Sequence, residues 1–300
     1  MKYIDKYLEY LKVERKYSNK TILSYKDDLI EYNEFLGNNF TNILNIDMNI
    51  VNNYMKYLYD RKITKSSISR KLSSIRGLYN YLVREDIIKE NHFNKIQNPK
   101  RELYLPKFLK DEELDKIFSV CNYNNPTEER DTLIIELLYA TGVRVSELVN
   151  IKIKDINREE KLIKVLGKGN KERMVIYNNH TKKALDTYLK DGYNYFNKKS
   201  SEYLILNKNG NKLSERYIRE IINKKVSQAS LDIKISPHTL RHTFATDILE
   251  NGADLMTVKE LLGHESLNTT SIYTHITNEQ IKKTYNLAHP RAKNFVRYFK

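Results

Sequence analysis

Apolar residues recur every three or four positions through most of the first 95 residues, which predicts four amphipathic helices. The first is marked by Tyr3, Tyr7, Leu8 and Leu11. Ser18, Asp47 and Thr64 each precede a further apolar series and belong to the residue types that cap helix N-termini. Gly37 is expected just past the end of the second helix. The N-terminal third therefore predicts an all-helical domain.

The fourth helix has a polar side that mixes hydroxyl and basic groups, and this mixture suits contact with a phosphate backbone. Its members are Lys65, Ser66, Ser69, Arg70, Lys71, Ser73 and Arg76. An ordinary solvated helix face is the alternative. The hypothesis of phosphate contact rests on the basic members, Lys65, Arg70, Lys71 and Arg76.

The helical pattern stops at residues 94–109. Pro99 and Pro106 bracket a basic stretch without periodicity, which is typical of a linker between domains. After it, Asp111 is expected to cap another helix, whose acidic first turn would favour the helix dipole. The chain therefore predicts two domains, 1–93 and 110–300, joined by this linker.

The second domain is predicted to change from helix to strand and back. A strongly apolar helix is expected from about Thr127 to Ala140, ending at Gly142. Two short apolar runs then flank the turn sequence GKGNK at 167–171, which predicts a β-hairpin with a basic tip that includes Lys171. The remainder reads as mostly helical, with a short strand at Tyr203–Leu206.

Charge and composition narrow the range of partners. The 300 residues include 52 Lys and Arg against 38 Asp and Glu, a formal net charge of +14 that is spread over both predicted domains. A basic surface of this extent suits a long polyanion such as DNA. The alternative is a basic protein whose charge serves only solubility.

The sequence disfavours membrane-spanning, secreted and disulfide-bonded proteins. Mean hydropathy is −0.65, and no apolar run approaches the ~20 residues that a membrane helix needs. The charged N-terminus lacks the apolar core of a signal peptide. Cys121 is the single cysteine, so an internal disulfide is excluded and a cytoplasmic location is expected.

Candidate chemistry lies in four segments: TGVRVSEL, the hairpin tip, HTLRH, and the stretch from LLGH to SIYTH. Arg144 and Arg241 could place two guanidinium forks around one phosphate. His238 lies three residues before Arg241 and would share its helix face. Such a cationic site could hold a phosphodiester during reaction.

The same segments contain groups for proton transfer and attack. Lys168 on its glycine-flanked turn could reach into a site from outside, and Tyr273 offers a phenol that needs a base or a cationic pocket to act as a nucleophile. His238 and His264 could assist it. Taken singly, each residue has an ordinary alternative: Tyr273 is one of 23 tyrosines, and His264 could cap a helix. The P-loop pattern GxxxxGK[ST] is absent.

Taken together, the order Arg, Lys, His-x-x-Arg, His, Tyr resembles the tyrosine recombinase (phage integrase) family. The resemblance is closest in HTLRHTFATDILENGADLMTVKELLGHESLNTTSIYTH, residues 238–275, and extends to TGVRVSEL and GKGNKER. The HPRA sequence at 289–292 and the chain length are similar to the Xer branch of that family.

The resemblance implies a role for each matched residue. Arg144 and Arg241 would bind non-bridging oxygens of the scissile phosphate, with a hydrogen bond from His264. Tyr273 would attack and become a 3′-phosphotyrosine. The remaining implied residues are the general acid Lys168, the proton-transfer residue His238 and the accessory acid Glu147.

Four other histidines are not assigned to catalysis. His242 is expected to support the site or the fold, and His275 to pack in a helix or face solvent. His92 and His180 are expected at the surface. Neither a metal nor a nucleotide cofactor is expected, because two arginines and a lysine could stabilise the transition state instead.

The implied fold is mainly α: an all-helical N-terminal core-binding (SAM-like) domain and an α-rich catalytic domain with a small antiparallel β-sheet. The implied partners are double-stranded DNA, a homo- or hetero-tetramer with a related recombinase, and an activating DNA translocase. Residues 277–300, which include Ile281, Tyr285, Leu287 and Ala288, would dock on a neighbouring protomer or pack on their own domain.

The implied function is site-specific recombination, with Xer-type resolution of chromosome dimers at a dif-like site as the leading role. Three alternatives stay open at this point: an integrase of a phage or conjugative element, a non-catalytic architectural DNA-binding protein, and a type IB topoisomerase. A core-binding pattern that begins close to Met1 favours the Xer role over an integrase with an additional arm-binding domain.

Overall fold

The computed structural model of this chain describes residues 1–100, 108–167, 171–263 and 278–292. The chain divides into two compact units, 1–104 and 105–300. The first unit is helical in its described part. Its helices are α1 (Lys2–Val13), α2 (Asn19–Asn38), α3 (Met48–Asp60) and α4 (Lys65–Arg84), followed by a 3-10 turn at His92–Lys95.

The predicted N-caps of the first unit are confirmed. Ser18, Asp47 and Thr64 each accept a hydrogen bond from the backbone N–H three residues later, at 2.9–3.2 Å. The expectation for Gly37 was wrong, because α2 continues through Asn38 and Gly37 lies inside it. Glycine costs a helix about 1 kcal/mol relative to alanine, which the packing of this long helix outweighs.

Aromatic rings fill the core of the first unit. Tyr32 and Tyr54 pack edge to face with centroids 4.8 Å apart, and Tyr79 stacks on Phe93 at 5.4 Å. The buried hydroxyls of Tyr32 and Tyr79 lie 3.0 Å apart and hydrogen-bond each other. Phe93, which follows the last helix, is fully buried, so the 3-10 turn belongs to this core.

Two of the basic residues expected to face phosphate are withdrawn from solvent by partners inside the unit, and Arg70 pairs with Asp28 but stays exposed. Lys71 is buried and donates to Asp28 Oδ1 at 3.1 Å and Glu31 Oε2 at 2.9 Å. Arg76 donates to the backbone oxygens of Phe93 and Ile96. A polar residue at the edge of a helix face satisfies a neighbouring carboxylate or carbonyl when one is near, and the sequence does not show those neighbours.

The second unit surrounds a small sheet with helices. The helices are α5 (Asp111–Ser119), α6 (Pro126–Thr141), α7 (Val145–Leu148), α8 (Asn179–Thr187), α9 (Tyr193–Phe196), α10 (Glu215–Gln228), α11 (Pro237–Glu250), α12 (Leu255–Leu262) and α13 (Asn278–Ala288). The antiparallel strands are β1 (Ile156–Asn157), β2 (Leu162–Leu166) and β3 (Glu172–Ile176), in the order β1-β2-β3. The mainly α fold with a small antiparallel sheet is thus confirmed.

Local differences from the prediction have simple causes. Asp111 is the first residue of α5, and Lys110 precedes it as the cap, with its backbone N–H donating to Glu113 Oε2 at 2.8 Å. The stretch Tyr203–Leu206 makes isolated bridges to Lys152 and Lys212 but no strand. Strand β1 was missed because two residues are too few to show alternation.

Helix α6 is buried nearly all round and forms the centre of the second unit. The C-terminal helix α13 packs on it within the same chain: Tyr285 is fully buried and its hydroxyl donates to the Ala140 carbonyl at 3.0 Å. Arg291, beyond the helix, pairs with Glu136. The described residues 278–292 thus pack on their own domain, and docking of the segment 277–300 on a neighbouring protomer stays a prediction.

No helix in the described ranges combines the length and the apolar character that crossing a bilayer would require.

Candidate active site

Arg144 is positioned by the end of α6. Gly142 adopts a left-handed conformation (φ +58°), and its N–H closes the helix on the Leu138 carbonyl. A Cβ at Gly142 would lie 2.6 Å from Phe244 Cδ1, which real structures do not tolerate. Glycine therefore lets the end of α6 approach α11 closely, and the chain turns into α7 with Arg144 as its cap.

Arg241 is held by α11 and by two backbone carbonyls. It lies on α11, which Ser236 caps and Pro237 begins. Its guanidinium donates to the carbonyls of Gly142 and Leu262, and the residue is buried. Burial, and next the nearby charge of Arg144, lower the pKa of Arg241 to about 10, so it stays a cation at neutral pH.

Glu147 links Arg144 to a third arginine. Its Oε1 accepts from Arg144 Nη1 at 2.9 Å and Arg173 Nη1 at 2.7 Å. Its Oε2 accepts from the Arg144 backbone N–H at 2.7 Å and Arg173 Nη2 at 3.0 Å. All four contacts converge on one buried carboxylate, so the Arg144 side chain has a defined direction.

The charge of Glu147 is stabilised by these bonds. Burial alone would raise the pKa of Glu147, but the hydrogen bonds from Arg173 and Arg144 outweigh it and lower the pKa below its usual value. Glu147 forms hydrogen bonds with Arg144 and Arg173, whereas Arg241 donates to two carbonyls and only its charge interacts with that of Glu147. The site keeps a net positive charge, which favours an anion such as a phosphodiester.

Two glycines, Gly167 and Gly263, let their chain segments approach Arg173 closely. A Cβ at Gly263, where φ is +62°, would lie 2.7 Å from Arg173 Cδ. A Cβ at Gly167 would lie 3.7 Å from Arg173 Nη1 and 3.8 Å from Glu147 Oε1. Gly263 directly precedes His264 and Gly167 directly precedes Lys168, so the chain leading to both predicted residues passes the Glu147–Arg173 pair.

The other predicted residues divide into described and undescribed ones. His238 is exposed on α11, three residues before Arg241. Lys168, His264, Tyr273 and His275 lie outside the described residues, and their assignments stay predictions. The structure thus brings together Arg144, Glu147 and Arg241, with His238 on the helix that holds Arg241.

The remaining histidines have ordinary surroundings. His242 is half-buried, with its ring 6.3 Å from that of Phe108. His180 is exposed as expected. His92 is half-buried rather than at the surface, because it begins the 3-10 turn whose next residue, Phe93, packs in the core of the first unit.

Arg173 is a site residue that the sequence analysis missed. It lies within GKGNKER, two residues after Lys171 at the basic tip of the hairpin, and the motif alone assigns it no role. In β3, Arg173 and the buried Val175 point to the same side of the strand, whereas Glu172 and Met174 are exposed. An arginine on the inward side of a strand indicates a buried acidic partner, and that signal was available.

Metal-binding and thiol chemistry find no support in the described ranges. No group of three or more His, Cys, Asp and Glu side chains there could hold a metal ion. Burial raises the pKa of the Cys121 thiol to about 11, so the reactive thiolate is disfavoured.

Two family models together match most of the chain. A model described as the phage integrase family matches residues 107–280, and one described as the phage integrase N-terminal SAM-like domain matches residues 4–86. Tyrosine recombinase XerC of Staphylococcus haemolyticus is 43% identical over 287 residues, covering 96% of each chain. Tyrosine recombinase XerC of Oceanobacillus iheyensis is 42% identical over 294 residues, covering 97% of this chain and 96% of its own.

Two solved structures of recombinases superpose on this chain. XerH site-specific recombinase bound to a palindromic difH substrate superposes with a TM-score of 0.71 at 26% identity, covering 89% of this chain and 79% of that one. A lambda integrase tetramer bound to a Holliday junction gives a TM-score of 0.70 at 18% identity, covering 100% of this chain and 79% of that one. The second likeness concerns the fold alone.

Proposed function

Because the chain belongs to the phage integrase family and is a tyrosine site-specific recombinase, we propose that six of its side chains assemble on one phosphodiester of double-stranded DNA. They are Arg144, Lys168, His238, Arg241, His264 and Tyr273, with Glu147 as an accessory residue. The observation that carries the proposal is the pair of fixed guanidinium groups, one held by Glu147 and the other by two carbonyls.

The proposed reaction is a phosphoryl transfer to the enzyme and back. The Tyr273 phenol oxygen attacks phosphorus, the bond from phosphorus to the 5′ oxygen breaks, and a 3′-phosphotyrosine forms. His238 accepts the phenolic proton, and Lys168 donates a proton to the leaving 5′ oxygen. Attack by the 5′ hydroxyl of a partner strand reverses these steps, so the broken bond is rebuilt without ATP.

The arginines stabilise the charge that develops on the phosphate. In the transition state, negative charge increases on the non-bridging oxygens, and cations already in place lower the barrier because they need no rearrangement. Arg241 has its direction set by the Gly142 and Leu262 carbonyls, and Arg144 by Glu147. We expect both to contact the phosphate directly and His264 to add a hydrogen bond.

We propose a division of labour between the two domains. Residues 1–93 would hold DNA as the core-binding domain, 110–300 would catalyse, and 94–109 would connect them. The catalytic end of this connection is fixed, because the buried Leu109 donates its backbone N–H to Thr243 Oγ1 at 2.9 Å. Lys65, Arg70 and Lys171 are exposed and remain the candidates for DNA contact.

The biological role that we propose is Xer-type resolution of chromosome dimers at a dif-like site in the cytoplasm. What supports it is 42–43% identity to XerC proteins over 96–97% of the chain. The assembly would be a tetramer on two DNA sites, formed with itself or with a related recombinase and activated by a DNA translocase.

One assay tests the proposed nucleophile. The protein is incubated with a nicked suicide duplex that carries a dif-like site, and covalent adducts are resolved on a denaturing gel. We expect the wild type and the control Tyr195→Phe, at an exposed tyrosine, to form an adduct, and Tyr273→Phe to form none. Binding without any adduct would support an architectural protein, and an adduct that persists in Tyr273→Phe would exclude this nucleophile.

A chelator tests the source of transition-state stabilisation. We expect an excess of EDTA to leave the rate of adduct formation unchanged, because guanidinium groups supply the positive charge. A rate that falls with EDTA and recovers with added Mg²⁺ would show that a metal takes part.

A further inference from the structure

Arg173 lies next to groups that adjoin three predicted catalytic residues, Arg144, Lys168 and His264. Its guanidinium binds Glu147, which holds Arg144, and its side chain lies against the glycines that precede Lys168 and His264. We propose that Arg173 is a positioning residue, which sets the direction of Arg144 through Glu147 and supports the chain leading to Lys168 and His264. The inference rests on the proposed function and adds a residue to it.

The contact between Arg173 and Glu147 has the geometry of a bidentate pair. Nη1 meets Oε1 at 2.7 Å and Nη2 meets Oε2 at 3.0 Å. Two parallel hydrogen bonds fix the plane of a carboxylate as well as its position. Because Arg144 binds both oxygens of that carboxylate, the plane that Arg173 imposes is transmitted to the Arg144 guanidinium and backbone.

Arg173 is poorly suited to bind the phosphate itself. Both of its terminal nitrogens are engaged by Glu147, and its side chain is only 15% exposed, against 32% for Arg144. Its Nε is buried and has no hydrogen-bond partner within the described residues. Arg173 therefore acts on the reaction through its neighbours.

The approach of Gly263 explains why a long side chain fits at this position. A Cβ at Gly263 would lie 2.7 Å from Arg173 Cδ and 2.9 Å from Nε. The left-handed φ of Gly263 adds a second reason for glycine. Any side chain at 263 would push Arg173 away from Glu147 and move the chain that leads to His264.

The test measures binding and chemistry separately. Single-turnover cleavage of a suicide duplex at saturating protein gives the rate, and a binding titration gives the Kd. For Arg173→Lys, which keeps the charge but loses the fork, we expect a rate about 10- to 100-fold lower with an unchanged Kd. The matched control is Arg158→Lys, an exposed arginine of the same unit that pairs with Asp186.

A double-mutant cycle tests whether Arg173 acts on the cleavage rate through Glu147. If Arg173 acts through Glu147, the variant Arg173→Lys with Glu147→Gln loses much less than the product of the two single losses. Gly263→Ala should reproduce the loss of rate by displacing Arg173. Thermal melting of each variant confirms that it is folded, and Gly263→Ala serves as the second variant if Arg173→Lys does not fold.

The outcomes separate the two proposals. If the wild type forms no Tyr273 adduct, the proposed function fails. If the wild type is active and Arg173→Lys cleaves equally fast, the positioning role is overturned while the proposed function stands. Independent, multiplying losses in the cycle overturn the route through Glu147. A raised Kd with an unchanged rate shows that Arg173 binds DNA, which also overturns it.

Discussion

Each unit of this chain contains a buried carboxylate bound by two basic side chains, but the two clusters differ in charge balance. In the first unit, Asp28 accepts from Arg70 and Lys71, and Glu31 adds a second carboxylate that faces Lys71 and Arg61. In the second unit, Glu147 binds Arg144 and Arg173, and the nearby Arg241 donates to two backbone carbonyls rather than to a carboxylate.

The difference indicates what each cluster does. Asp28 and Lys71 connect α2 to α4, two regular helices whose packing they stabilise. Glu147 connects the start of a four-residue helix to a β-strand, and the Arg144 side chain stays 32% exposed. In the first cluster each of the three basic side chains pairs with a carboxylate, which leaves little charge for an external anion. In the second, Arg241 donates to two backbone carbonyls, so its positive charge stays available to a phosphate.

Removing a fork from the unbalanced cluster should have the largest effect. For Arg241→Lys we expect cleavage about 10³-fold slower, because an ammonium group cannot contact both carbonyls and the phosphate together. Single-turnover adduct formation is the measurement. The control is Arg70→Lys in the first cluster, which should cleave at the wild-type rate at saturating DNA. Similar losses in both variants would contradict the distinction between the clusters.

Breaking the balanced cluster should affect stability instead. Asp28→Asn leaves Lys71 buried with one carboxylate fewer, and we expect the free energy of unfolding to fall by about 3 kcal/mol. Urea denaturation followed by circular dichroism measures it. Asp27→Asn, at the exposed neighbouring position, is the matched control and should change little. An unchanged midpoint for Asp28→Asn would mean that the cluster does not hold α2 to α4.

The units should also differ in their response to acid. His289 of the second unit is fully buried, and this burial lowers its pKa to about 3. The unfolded chain binds a proton on this histidine below pH ~6.5 and the folded chain does not, so stability should fall by about 1.4 kcal/mol per pH unit below that point.

Melting temperatures between pH 7 and pH 5 test this expectation. His289→Gln should have a shallower pH dependence than the wild type even if it is less stable at pH 7. If His289→Gln and the wild type lose stability in parallel, another group is responsible for the acid response.

The smallest effect is expected at Arg70, the exposed member of the balanced cluster. Its side chain is 44% exposed, so Arg70→Gln should lower the free energy of unfolding by about 0.5–1 kcal/mol. If Arg70 contacts a phosphate, DNA affinity should fall and the salt dependence should lose about one unit of slope. Titrations at several salt concentrations measure both. An unchanged slope would remove Arg70 from the DNA-contact candidates.

The sequence predicted the helices well where local chemistry determines them. Ser18, Asp47 and Thr64 cap their helices because the bond that each makes spans only three residues. Lys71 could not be placed in the same way, because its partner Asp28 is 43 residues away on another helix. Pairing with residues of another helix determines which polar residues of α4 face solvent. The spacing of apolar residues along α4 does not reveal such pairing.

The site shows the same limit. Motif order identified Arg144, Glu147 and Arg241, and the structure brings these three together. The motif order does not identify Arg173, because its role depends on Glu147, 26 residues earlier, and on Gly263, 90 residues later. Period-two alternation in β3 contained the relevant signal, yet a hairpin of five-residue strands offers few positions to read it from.

The close approach of Gly263 to Arg173 has a consequence for sequence variation across relatives. A relative with a bulkier residue at the position of Gly263 would have no room for a long side chain at the position of Arg173. It would need a shorter side chain there and another residue to bind Glu147. The two positions should therefore change together over evolutionary time, although 89 residues separate them along the backbone.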